Sequence, residues 1–62
     1  MTHDEKLNVI RAMRTHGGSF VRALAEAWMY ADSDNCARIE KAFPEYVAKY
    51  QEIAAMMPKE AA

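Results

Sequence analysis

Cys36, His3 and His16 are the side chains of this 62-residue chain that could coordinate a metal ion or form a thiol–imidazole pair. Their spacing fits no zinc-site pattern, and a fourth ligand would have to be a carboxylate. A single cysteine on the inward face of a helix usually packs as a small apolar side chain. We therefore predict no metal, no cofactor and a structural role for Cys36.

The acidic run Asp32-Ser33-Asp34 has the residue types that begin a calcium-binding loop. The rest of that motif is missing, because its later positions are occupied by Cys36, Arg38 and Phe43. The run is typical of a turn that caps the following helix. No other carboxylates are forced together by helical spacing, and so short a chain has little concave volume for a substrate. We predict that the protein is not an enzyme.

The most informative feature is the run Trp28-Met29-Tyr30. Successive helical residues are about 100° apart, so these three large side chains span about 200° of the circumference. One packed helix face is narrower than that. Aromatic residues, methionine and arginine are enriched at protein interfaces. The alternative is that Tyr30 lies on the surface with its hydroxyl in water, as scattered exposed apolar residues do. We predict a partner-binding surface made of Trp28, Met29, Tyr30 and Arg22, with Arg11 and Arg14 as steering charges.

A helix-turn-helix DNA-binding regulator is the alternative function. Arg11, Arg14, His16 and Arg22 surround Gly17-Gly18, which separates two predicted helices. The start of the second helix, however, offers only Arg22 for reading bases. Phosphate contacts also favour a more basic protein than one with a net charge of −1. Protein binding is therefore the leading prediction.

The composition predicts an all-α fold. Hydrophobic residues make up 52% of the chain, and only two glycines and two prolines interrupt it. We expect residues 1–62 to form a single domain, whose small core is marginal in isolation. One cysteine allows no intramolecular disulfide. We therefore expect a homodimer, formed through the second or fourth helix, to complete the core.

The first two helices should form a hairpin around Gly17-Gly18. Thr2 and Glu5 have the spacing of a capping box at the first helix, in which Leu7, Ile10 and Met13 form an apolar stripe. One of the two glycines is expected in the left-handed conformation that ends many helices. Ser19 is then placed to cap a second helix over residues 20–31.

Two more helices are predicted after the hairpin. The third covers residues 35–42, and Pro44 suits the first position of the fourth. Residues 58–62 should form a frayed tail. The result is a compact bundle of three to four short helices. The apolar face of the fourth helix consists of Tyr46, Tyr50, Ile53 and Met57.

The sequence predicts neither membrane insertion nor secretion. Its start is polar, and no uncharged run approaches the roughly 20 apolar residues of a membrane span. A single cysteine suits a reducing compartment. We therefore expect a cytoplasmic protein.

Two sequence pieces are specific enough to compare with known proteins. They are Gly17-Gly18-Ser19-Phe20 and Ala42-Phe43-Pro44-Glu45. Together with the intervening Ala, Asp, Asn and Arg-Ile positions, they resemble a family of short helical proteins encoded by phages and prophages of proteobacteria, over residues 8–54. The resemblance implies a protein of the bacterial host's cytoplasm that binds a host protein and inhibits or redirects it, as anti-defence proteins do. It assigns no functional residue.

Overall fold

The computed structural model describes residues 1–57, which fold into four helices. The all-α prediction is therefore confirmed. The predicted tail at residues 58–62 lies outside the described residues. In chain order the helices are α1 (His3–His16), α2 (Ser19–Tyr30), α3 (Ser33–Ala42) and α4 (Pro44–Met56).

The first helix begins with the predicted capping box. The Thr2 hydroxyl accepts a hydrogen bond from the Glu5 N–H at 3.1 Å, and the Glu5 carboxylate accepts one from the Thr2 N–H at 3.2 Å. The hydrogen bond from the Thr2 N–H, and after it the Thr2 side chain, hold the pKa of the Glu5 carboxyl below its ordinary value. The box satisfies two of the N–H groups that a helix start leaves without a partner.

The turn between α1 and α2 differs from the prediction. Gly17 and Gly18 have φ angles of −82° and −78°, so neither is left-handed. Gly17 is required for space instead: an added Cβ would overlap the Met13 carbonyl oxygen and lie 2.5 Å from Cγ1 of Val21. The predicted Ser19 cap is also wrong. Ser19 is the first residue of α2, and Gly18 precedes it without a side-chain cap.

The boundaries of α3 and α4 agree more closely with the sequence predictions. The Asp32 carboxylate accepts a hydrogen bond from the Asn35 N–H at 2.8 Å, so α3 starts two residues earlier than predicted. Pro44 begins α4, as predicted. Phe43 ends α3 and precedes α4, with a φ of −128° and a ψ of 55°. This conformation agrees with the restriction that proline places on the preceding residue.

Helix α1 lies at the centre of the packing, in contact with both α2 and α4, while α3 joins the other sides of α2 and α4. Leu7 was expected in the α1 stripe but is 42% exposed, because the buried face of α1 is rotated toward Val9 and Ala12. Tyr50 supplies the buried part of α4. The buried core consists of Val9, Ile10, Ala12, Met13, Val21, Ala25, Trp28, Cys36 and Tyr50.

An aromatic cluster joins the start of α2 to the junction of α3 and α4. The Phe20 ring lies 5.9 Å from that of Phe43 and 6.1 Å from that of Tyr46, and the last two stack at 5.9 Å. Such pairs contribute roughly 0.5–1.5 kcal/mol each beyond the apolar area they bury. The cluster therefore attaches the hairpin to the second half of the chain.

Candidate functional site

A groove of about 770 Å³ runs between α1 and α2, and every residue lining it belongs to these two helices. We call it the α1–α2 groove. The lining positions recur every three or four residues along each helix, so each helix presents one continuous face to the groove. From α1 these include Leu7, Ile10, Arg11 and Arg14, and from α2 Arg22, Ala23, Glu26 and Met29.

The charges of the groove come from three arginines and one glutamate. Arg14 and Arg22 are exposed, and Arg11 is half-buried. Glu26 lies four residues after Arg22, one turn along the same face of α2. The lining therefore carries two net positive charges, whereas the whole chain has a net charge of −1. The groove is a basic site on a slightly acidic protein.

The apolar part of the groove lies toward one end. Ile10 is buried and forms part of the floor, while Leu7 is 42% exposed and Met29 is half-buried. Because α1 and α2 form a hairpin, Leu7 and Met29 both lie far from Gly17-Gly18 along their helices. Arg14 and Arg22 lie within five residues of that turn. The groove thus has an apolar end and a basic end.

The structure corrects the prediction for Trp28. Its side chain is 0% exposed and is the largest of the fully buried side chains. The buried face of α2 is formed by Val21, Ala25 and Trp28, at spacings of four and three. A partner therefore reaches Trp28 only if the core opens. Trp28 is a core residue and does not belong to the contact surface.

Tyr30 points away from the α1–α2 groove. It is 84% exposed and borders a separate depression of about 510 Å³ between α2 and α3, together with Ala27 and Ile39. We call this the α2–α3 depression. The run Trp28-Met29-Tyr30 therefore divides among the core, the groove and the depression. Of the six predicted contact residues, the α1–α2 groove brings together Arg11, Arg14, Arg22 and Met29.

Leu7 and Glu26 are among the groove residues that the sequence analysis did not assign to a contact surface. Leu7 was assigned to the core because it precedes Ile10 by three residues. Glu26 was not singled out, although its spacing of four from Arg22 places both on one face of α2. That spacing was the signal that could have identified it.

Cys36 makes polar contacts outside the α1–α2 groove. The Lys6 ammonium donates a hydrogen bond to the Cys36 sulfur at 3.3 Å, and the thiol donates to the Ala31 carbonyl at 3.5 Å. The buried thiol thereby connects α1, the end of α2 and α3. Within residues 1–57, no three His, Cys, Asp or Glu side chains are grouped so that they could hold a metal ion. The observed contacts of Cys36 are those of a packing residue.

Comparison with known proteins adds no assignment. No protein-family model matches the chain, and neither does any characterised protein or solved structure. Over the described residues 1–57, none of the helices combines the length and apolar character that crossing a membrane requires. The chemistry of the α1–α2 groove is therefore the guide to function.

Proposed function

We propose that this protein is a non-enzymatic interaction protein that binds another protein through the α1–α2 groove. The observation that supports it is the combination of three arginines with the accessible apolar side chains of Leu7 and Met29. Arginine and methionine are enriched where proteins bind one another. The charged groups of the lining are three guanidiniums and the single carboxylate of Glu26. This set suits binding better than proton transfer between an acid and a base.

The partner in this proposal is a protein of a bacterial host. The support is the resemblance of residues 8–54 to short phage-encoded proteins, which implies action in the host cytoplasm. When a segment of the host protein occupies the α1–α2 groove, that protein would be inhibited or redirected. Arg14 and Arg22, which are exposed, would also accelerate the encounter with an acidic partner surface.

Charge reversal in the groove should abolish capture of the partner. We expect the affinity-tagged full chain to retain a specific protein from a proteobacterial lysate, and Arg22→Glu to lose it. An interface arginine contributes about 2 kcal/mol or more, which corresponds to roughly a 30-fold loss of affinity. The measurement is quantitative mass spectrometry of the retained proteins.

Lys41→Glu is the matched control, since it makes the same charge change at an exposed position of α3 that lines neither the α1–α2 groove nor the α2–α3 depression. It should retain the partner as the unmodified chain does. Retention of the partner by Arg22→Glu, or its loss in a folded Lys41→Glu, would contradict the proposal.

We also propose a homodimer that forms through the α2–α3 depression. Two copies of the α1–α2 groove would repel each other, because each carries two net positive charges. Tyr30 instead offers an aromatic ring beside the small side chain of Ala27 and the half-buried Ile39. A second copy there would cover apolar area that a chain of this size needs for stability.

Sedimentation equilibrium at micromolar concentration should give the mass of a dimer for the unmodified chain and for Arg22→Glu. Tyr30→Asp should give the mass of a monomer, since its carboxylate would be buried against the partner copy. A folded monomer of the unmodified chain would contradict the homodimer.

A further inference from the structure

We infer that the occupant of the α1–α2 groove is an acidic amphipathic helix of the partner protein, with its apolar and acidic residues about two turns apart. The inference rests on the proposed function and specifies the chemistry of the partner.

The α1–α2 pair is covered by other helices on one face only. Its buried residues, such as Met13 and Trp28, belong to one core cluster with Cys36 of α3 and Tyr50 of α4. The opposite face carries the groove, to which α3 and α4 contribute no lining residue. Side chains of two packed helices form ridges and a groove that accept a third helix at an interaxial distance of about 8–10 Å. A helix is therefore the element that fits this face.

The spacing between apolar and basic groove residues is the same on α1 and α2. Leu7 and Arg14 are seven residues apart on α1, and Arg22 and Met29 are seven residues apart on α2. Seven helical residues span about 10 Å. Both helices therefore set the same distance between the apolar end and the basic end. A bound helix places an apolar residue near Leu7 and Met29, and a carboxylate near the two arginines seven residues away.

The basic end of the groove is complementary in charge to a helix that carries carboxylates. Guanidinium groups bind carboxylates through paired hydrogen bonds, and Arg14 and Arg22 are exposed near the same end of the groove. On α1 Arg11 lies between Leu7 and Arg14, and on α2 Glu26 lies between Arg22 and Met29. The middle of the groove therefore carries one charge of each sign, and the net positive charge lies at the basic end. The partner helix should therefore be acidic at one end only. A phosphate backbone carries uniform negative charge and does not match this pattern.

The test is a selection from a displayed library of helix-forming peptides, with the full chain as bait. We expect the enriched peptides to carry Leu, Met or Phe about seven residues from Asp or Glu. A second bait, Arg14→Glu/Arg22→Glu, should bind these peptides about 30-fold more weakly or worse. When this double variant is the bait in a separate selection, the enriched peptides should carry Lys or Arg at the positions that were acidic before. Circular dichroism of both baits establishes that each is helical.

Other outcomes overturn the inference. These are an absence of enriched peptides, peptides without carboxylates, proline-containing extended peptides, and equal affinity for both baits. A short DNA duplex that binds the unmodified chain, with steep salt dependence and loss in the double variant, would identify a nucleic-acid site instead. If Arg22→Glu loses the lysate partner while the selected peptides lack carboxylates, the proposed function stands and only the identity of the occupant is wrong.

Discussion

Replacing Trp28 with alanine is expected to remove about half or more of the protein's free energy of unfolding. Truncating a buried tryptophan removes about 3–5 kcal/mol of stability. A domain of 62 residues has a total stability of only about 3–9 kcal/mol. Trp28 is completely buried at the centre of the core, where the chain has little room to collapse around the cavity. Urea unfolding followed by circular dichroism measures the loss.

Met56→Ala is the control, because Met56 is also a large apolar residue but is 78% exposed. Its effect should remain within about 0.5 kcal/mol. The loss in free energy of unfolding for Trp28→Phe should lie between the losses for Trp28→Ala and Met56→Ala. This substitution leaves a smaller cavity, and it removes the indole N–H, for which the described residues provide no acceptor. An unchanged urea midpoint for Trp28→Ala would contradict the placement of this side chain in the core.

Replacing Gly17 with alanine is expected to destabilise the protein by about 1–3 kcal/mol, the usual effect of overpacking. The added methyl group would meet the Met13 carbonyl oxygen and the Val21 side chain, so the turn must open. The urea midpoint should fall accordingly. Because this turn sets the separation of α1 and α2, the variant should also weaken binding at the α1–α2 groove.

Gly18→Ala provides the matched comparison at the neighbouring position. No atom lies within 4 Å of a Cβ added to Gly18, and its φ of −78° suits any residue. The lower entropy of the unfolded chain favours alanine there, and its poorer capping opposes it, so the net change should be close to zero. Equal losses at the two positions would show that close packing at Gly17 is not the reason for its glycine.

The helix ends that could be predicted from the sequence are those determined by local chemistry. The capping box of Thr2 and Glu5 and the proline at the start of α4 depend on residues within one helical turn. The turn at Gly17 could not be predicted in the same way. Its glycine is required by the close approach of the Met13 carbonyl oxygen in α1 and of the Val21 side chain in α2, which depends on how the two helices meet. A sequence pattern therefore located the turn but gave the wrong conformation.

The candidate site was predicted to a similar extent. Arginines on both sides of a hairpin turn must lie close together, so Arg11, Arg14 and Arg22 could be grouped from sequence. Helical periodicity also required the side chains of Trp28-Met29-Tyr30 to diverge. It could not show which of them faces the core, because that depends on where α3 and α4 pack. Leu7 was misassigned for the same reason: the rotation of α1 is set by its two neighbours.

The burial of Trp28 also gives the protein an optical reporter. It is the single tryptophan of the chain, and its indole ring is shielded from water by the core. Its emission should therefore shift to the red when the core opens. The indole does not line the α1–α2 groove. A ligand that fills the groove without rearranging the core should therefore leave the wavelength of this emission unchanged. Intrinsic fluorescence thus separates variants that have lost their fold from variants that have lost only their partner.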